Sequence, residues 1–123
     1  PHIVYTHHRG DSNQDHQTLF KASMILTRTM GEHLISRLLC YEVPSSTEQG
    51  PPFIDYAFLP NVFVDISAYL DRKLEAMQCY ESEVTEFPHP RSLRALRARA
   101  EYWGSKVGLV AAEPFMLVRE VVQ

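Results

Sequence analysis

Residues 2–19, His2-Ile3-Val4-Tyr5-Thr6-His7-His8-Arg9-Gly10-Asp11-Ser12-Asn13-Gln14-Asp15-His16-Gln17-Thr18-Leu19, decide the fold. They open on a short apolar run, Ile3-Val4-Tyr5, whose β-branched and aromatic side chains suit a pleated strand. A polar turn rich in Asp and His follows. After it, Leu19, Ala22, Leu26 and Met30 recur at helical spacing. Strand, polar turn, helix is the local grammar of an open α/β sheet, which places ligand chemistry in the crevice outside the carboxyl ends of its strands. His16 can offer a neutral imidazole to a metal, and Asp15 can orient it or handle a proton. Taken alone, Asp15 also reads as a helix N-cap and His16 as a surface residue of the first turn. A catalytic zinc takes about three protein ligands, and no second cluster in the chain has a matching spacing. The turn reads as half of a site.

Outward from this unit, strands and helices alternate. Residues 2–6 form the first strand and residues 15–30 the first helix, with Asp15 its expected N-cap. Residues 34–43, dense in Leu and Ile, form a second strand that ends at Pro44. Residues 44–60 hold Ser45-Ser46-Thr47 and Gly50-Pro51-Pro52, a loop long enough to be functional. Val62-Phe63-Val64 reads as a short strand, and Ser67 as the N-cap of a helix over 67–82 with Leu70, Leu74 and Met77 on one face. Phe87-Pro88-His89-Pro90 cannot be helical. Leu93, Leu96, Ala100, Trp103 and Val107 then mark an amphipathic helix over 92–106, with Trp103 in the core. Gly104 or Gly108 ends it, and residues 115–122 read as a last strand. Alternating elements argue for an α/β layer structure, one domain over residues 1–123.

Composition narrows the class. The chain has 123 residues, 45% of them hydrophobic, enough for a modest core. A formal net charge of -3 gives no pull toward nucleic acid or anionic membranes. Arg91, Arg94, Arg97 and Arg99 fall around a helix with Glu101 among them, so they read as a solvated face and not as a nucleic-acid patch. No run approaches the roughly 18 apolar residues of a membrane span, and no charged-then-apolar leader opens the chain. Cys40 and Cys79 lack a paired spacing and read as buried thiols of a reducing, cytoplasmic compartment. The start at Pro1, just before a strand, suggests a processed or truncated chain.

Four landmarks, in order, resemble the C-terminal part of an LmbE-like (PIG-L) N-deacetylase. Asp15-His16 after the strand and turn is similar to the family's second metal motif, H-x-D-H or D-x-N-x-D-H. Val62-Phe63-Val64-Asp65-Ile66-Ser67, followed by Lys73, Ala76 and Tyr80-Glu81-Ser82-Glu83, resembles its K-x-x-A…Y-x-S-Q/E segment. Pro88-His89-Pro90-Arg91-Ser92 precedes a helix. Gly108 with Ala112-Glu113-Pro114-Phe115 is close to its G…A-E-x-F ending. With Pro44-Ser45-Ser46-Thr47-Glu48, these landmarks span nearly the whole chain. The resemblance implies a Rossmann-like fold, present here as an incomplete C-terminal part with about three helices and a partial sheet. It also implies a Zn2+ enzyme that removes acetyl from an N-acetylated amino sugar or a glycoconjugate.

Within that resemblance His16 is the zinc ligand, Asp15 holds a catalytic imidazole or backbone group, and Asn13 is a donor to the oxyanion or substrate. Asn13 departs from the family pattern, since many members carry there a His that can protonate the leaving amine; an amide only donates a hydrogen bond. The general acid is therefore open among His7, His8 and Asp11. His89 and Arg91, in a rigid Pro-bounded turn, are candidates for binding substrate; a helix-flanking loop paired with Glu83 or Glu86 is the plainer reading. Glu113 reads as a structural carboxylate, and Lys73 and Glu48 carry no assigned role. The larger departure is the absence of the family's first motif, A-H-P-D-D-E, which supplies two zinc ligands and a general base. Two functions stand side by side: the zinc hydrolase, for a longer parent, and a truncated or diverged module without activity that pairs with another copy as a homo-oligomer.

Overall fold

β1 (Ile3–His7) leads into α1 (Gln14–Leu26), which returns to β2 (Arg37–Tyr41). The computed structural model describes residues 1–28 and 34–123. β1 and β2 run parallel, in register from Ile3 opposite Arg37 to His7 opposite Tyr41. A parallel pair needs a crossover, and α1 supplies it. β3 (Val62–Asp65), α2 (Leu70–Gln78), α3 (Leu93–Ser105) and β4 (Ala112–Glu120) complete the order, with 3-10 turns at Thr47–Gln49 and Ile54–Tyr56. The result is a mixed α/β structure with a four-stranded sheet ordered β1-β2-β4-β3. β4 is antiparallel to β2, with a bulge between Leu38 and Leu39.

Contacts group the chain into two units, residues 1–62 with 115–123, and residues 63–114. In the first, the core lies on β2, where Leu38, Leu39 and Cys40 are all buried. Successive strand residues face opposite ways, so both faces of β2 are covered. β1 is an edge strand, and the Tyr5 ring lies 5.3 Å from that of Phe115. In the second unit, Leu70 and Leu74 of α2 meet Leu96 and Ala100 of α3, with Ile66 and Ala111 closing the cluster. Steps of three and four put each set on one helical face.

Several boundaries differ from expectation for identifiable reasons. Asn13 caps α1, where Asp15 was expected: the Asn13 Oδ1 accepts from the backbone N–H of Asp15 at 2.8 Å and of His16 at 3.4 Å. The expected apolar stripe of α1 stays wet, with Leu19 exposed and Leu26 at 81% exposure. Among the described residues β1 is the edge of the sheet; Met30 lies outside them. Ser67 does not cap α2, because its hydroxyl is bound to Asp65 Oδ1 at 2.6 Å, and the cap position is Tyr69.

Ser92 caps α3 through its hydroxyl, which accepts from Ala95 N–H at 3.1 Å. Gly104 lies inside α3, where a Cβ would stand 2.8 Å from Ala111. Gly108, at φ +78°, makes the left-handed stop, and Val107 falls beyond the helix and is exposed. Trp103 is half-buried, 6.3 Å from the Phe63 ring. Residues 87–90 are turn, as their prolines require, with a cis Phe87–Pro88 bond. β2 is shorter than expected, and β4 begins earlier, at Ala112. Of the two thiols expected to be buried, Cys40 is; Cys79 is exposed at the end of α2. No helix among the described residues is long and apolar enough to cross a membrane.

Candidate functional site

The parallel strands β1 and β2 end side by side at His7 and Tyr41, and the turn to α1 begins there. His7 and His8 point opposite ways, as neighbours at a strand end must. His8 is buried; its Nε2 lies 2.8 Å from Tyr56 O, and its ring meets Phe58 edge-on at 5.4 Å. Arg9 donates from Nε and Nη2 to Asp55 O at 3.0 and 2.5 Å. Gly10 passes so close to this loop that a Cβ would stand 2.2 Å from Tyr56 O. The turn is strapped down before its chemistry begins.

Asp11 is the centre of the turn and is 0% exposed. Its Oδ1 accepts from Asn13 N–H at 2.8 Å and lies 3.1 Å from His16 Nδ1. Its Oδ2 accepts from the Thr47 hydroxyl at 2.9 Å. The His16 contact is close but lacks the alignment of a full hydrogen bond, so it acts as a charge–dipole contact on the buried Nδ1. A buried carboxylate has to be satisfied by such partners.

His16 stacks on His7, with ring centroids 4.1 Å apart and planes 25° from parallel. The Tyr41 hydroxyl lies 3.3 Å from both His7 ring nitrogens. Burial lowers the His7 pKa from its ordinary value; the His16 charge lowers it further, and Asp11 opposes both. Burial, and then Cys40, raises that of Tyr41. The Nε2 of His16 takes no hydrogen-bond partner among the described residues.

The structure brings Asp11, Asn13, Asp15 and His16 onto one turn. Asp15 is exposed in the first turn of α1. Asn13 spends its oxygen on the cap, which leaves its amide N–H groups as the donors. His89 and Arg91 belong to the other unit. There His89 Nδ1 accepts from Arg91 N–H at 3.1 Å, and the Arg91 guanidinium pairs with Glu83 at 2.6 Å. Arg94 lies over the Phe87 ring at 4.0 Å, and Arg97 pairs with Asp71. Glu113 pairs with Lys73, and Glu48 Oε1 accepts from Ser45 N–H at 2.6 Å. Among the described residues, no group of three or more His, Cys, Asp or Glu is placed to hold a metal.

Sequence reasoning passed over Tyr41 and Thr47. The parallel register would have found Tyr41, because it faces His7 across the strand pair. Thr47 falls in the stretch 44–48 counted with the family landmarks, but nothing in the sequence tied it to Asp11, 36 residues away.

No protein-family model matches the chain. Over 80 residues, 64% of this chain and 36% of the relative, the sequence is 35% identical to the "Uncharacterized deacetylase YaiS" of Escherichia coli (strain K12). The fold is similar to that of the conserved protein TT1542 from Thermus thermophilus, with a TM-score of 0.75 and 26% sequence identity. That similarity covers 100% of this chain and 54% of the other. The chain thus spans only part of the length of both relatives.

Proposed function

We propose that this chain carries one half of the active site of a zinc-dependent N-deacetylase of the LmbE-like (PIG-L) type. Its substrate is an N-acetylated amino sugar, free or in a glycoconjugate. One observation carries this reading: a fully buried carboxylate, Asp11, stands against His16 Nδ1 at the carboxyl end of two parallel strands, and Nε2 has no partner among the described residues. Metal-bound histidines characteristically turn their second ring nitrogen to such a carboxylate. The relative named as a deacetylase supports the reaction class.

The donor set fits one zinc-ligand position, at His16. A catalytic zinc takes about three protein ligands, so the others come from outside the described residues, in the longer protein. When bound, the metal supplies Lewis-acid polarisation of the acetamide carbonyl and a water acidified toward a pKa of about 7. This chain's own residues orient and donate. Asp11 fixes the His16 ring from behind. The Asn13 amide is free to donate toward an oxyanion, because its oxygen is held by the helix cap. Asp15, exposed one residue before His16, is placed to hold a proton or a neighbouring group. Burial and the neighbouring His16 lower the His7 pKa, which disfavours a positive charge beside His16.

The test is metal analysis of the longer parent, wild type beside His16→Ala, with acetate release measured on N-acetylglucosamine derivatives. Loss of zinc and of acetate release in the variant is expected; equal zinc in both removes His16 from the site. A second reading is a non-catalytic module. Acetate release by the isolated chain would overturn that reading.

A further inference from the structure

We infer that Thr47 is a positioning residue for His16: acting through Asp11, it locks the His16 ring in the Nδ1–H tautomer and presents the Nε2 lone pair. The inference deepens the zinc reading, on which its purpose rests, but its geometry needs no metal.

The chain of contacts leaves little freedom. The Thr47 hydroxyl accepts from Val43 N–H at 2.7 Å and lies 2.9 Å from Asp11 Oδ2. A hydroxyl has a single hydrogen. With Val43 N–H directed at its oxygen, that hydrogen is committed to Asp11. Asn13 N–H holds the other carboxylate oxygen at 2.8 Å. Both oxygens are thus engaged, and the carboxylate cannot rotate without breaking one bond or the other. A carboxylate oxygen 3.1 Å from Nδ1 favours the tautomer that turns a hydrogen toward it over the one that turns a lone pair, even without full hydrogen-bond alignment. A neutral imidazole has one N–H, which leaves Nε2 bare.

The loop that carries Thr47 is fixed independently of this contact. Ser12 donates from both its N–H and its hydroxyl to Ser46 O, at 3.2 and 2.9 Å. Gly50 lies so near the turn that a Cβ would stand 2.3 Å from Gly10 O. Ser45 holds φ +73°, left-handed backbone that a non-glycine residue rarely adopts. Strain of this kind persists where the surroundings over-determine it, and it gathers at functional sites. Here it delivers Ser46 O to Ser12 and Thr47 to Asp11.

The experiment is two-bond 1H–15N correlation on the chain with 15N-labelled histidine, at about pH 8, where an ordinary imidazole is neutral. Wild type and Thr47→Ser, which keeps the hydroxyl, are expected to show His16 as Nδ1–H. Thr47→Val removes one of the two holds on the Asp11 carboxylate. It is expected to raise the Nε2–H to Nδ1–H ratio, with about fivefold, the worth of one ordinary hydrogen bond, as the upper bound. Thr47→Ala serves in its place if the valine variant does not fold. An Nε2–H His16 in the wild type overturns the inference without any variant, as does a wild-type ratio in the hydroxyl-free variant. The two readings fail separately: zinc that is indifferent to His16→Ala sinks the metal reading, and the tautomer sinks this one.

Discussion

His7 and His16, nine positions apart on a strand end and a helix start, lie ring on ring at 4.1 Å. The contact ties the last residue of β1 to the first turn of α1, and it keeps the His16 ring from swinging. His7→Ala is expected to lower stability by about 1–2 kcal/mol, the order of a lost ring pair plus its burial. His7→Phe is expected to recover most of this, because it keeps the stack and forfeits only the Tyr41 contact. Urea midpoints of the three proteins decide it, and an alanine variant as stable as wild type would show that the stack holds nothing.

The cap of α1 gives a second prediction, one that separates folding from chemistry. Asn13→Ala removes the acceptor for two backbone N–H groups and is expected to cost about 1 kcal/mol. Asn13→Asp keeps the cap and is expected to stay within a few tenths of a kcal/mol of wild type. Asp15→Asn is expected to be nearly neutral in stability, since the Asp15 side chain is not the cap. In the longer parent, Asn13→Asp is nonetheless expected to lose acetate release, because a carboxylate cannot donate to an oxyanion. Activity equal to wild type in Asn13→Asp would remove Asn13 from the reaction.

The two thiols are expected to differ in kind. Burial pushes the Cys40 thiol up to about 12 from 9.0, while Cys79 is exposed. A thiol reagent is therefore expected to modify Cys79 in the native chain and Cys40 only on unfolding. The raised pKa also has a sign in stability. The folded state keeps the Cys40 proton where the unfolded chain has lost it, so stability is complete below about pH 9 and falls as pH rises toward about 12. Cys40→Ala is expected to flatten that alkaline limb. A limb unchanged by the substitution would assign it to another group.

Glycine substitutions are expected to separate close packing from backbone conformation. Gly50→Ala puts a methyl against the Gly10 carbonyl and is expected to cost about 1–3 kcal/mol, because backbone must move. Gly108→Ala meets no atom within 4 Å, so its cost is only that of the left-handed backbone, about 1 kcal/mol. Gly108→Asn is expected to cost less still, and Gly50→Asn more. Denaturant midpoints in the reverse order would contradict the packing described around Asp11.

Much of the fold was legible in the residues, for a physical reason. The apolar spacings of Leu70, Leu74 and Met77, and of Leu93, Leu96 and Ala100, are satisfied within one unit, so periodicity alone located α2 and α3. The stripe on α1 misled, because Leu19 and Leu26 have the spacing of a core face yet are exposed among the described residues. Asp15 and Asn13 are both good caps, and only backbone geometry at Asn13 separates them. At the site, the turn from Asp11 to His16 could be read as a ligand-bearing segment. The partnership of Asp11 with Thr47 could not, since it depends on how a long loop folds back.

Concentration becomes a structural variable for this chain because of β1. An edge strand with Ile3 and Tyr5 exposed offers a row of unpaired amides to any passing strand, and Leu26 beside it offers grease. Self-association through this edge is the expected outcome at high concentration. Light scattering against concentration is expected to rise more steeply than for Ile3→Lys, whose charge makes the edge a poor template. The strand that ends at His7 is thus also the one on which the expected association depends.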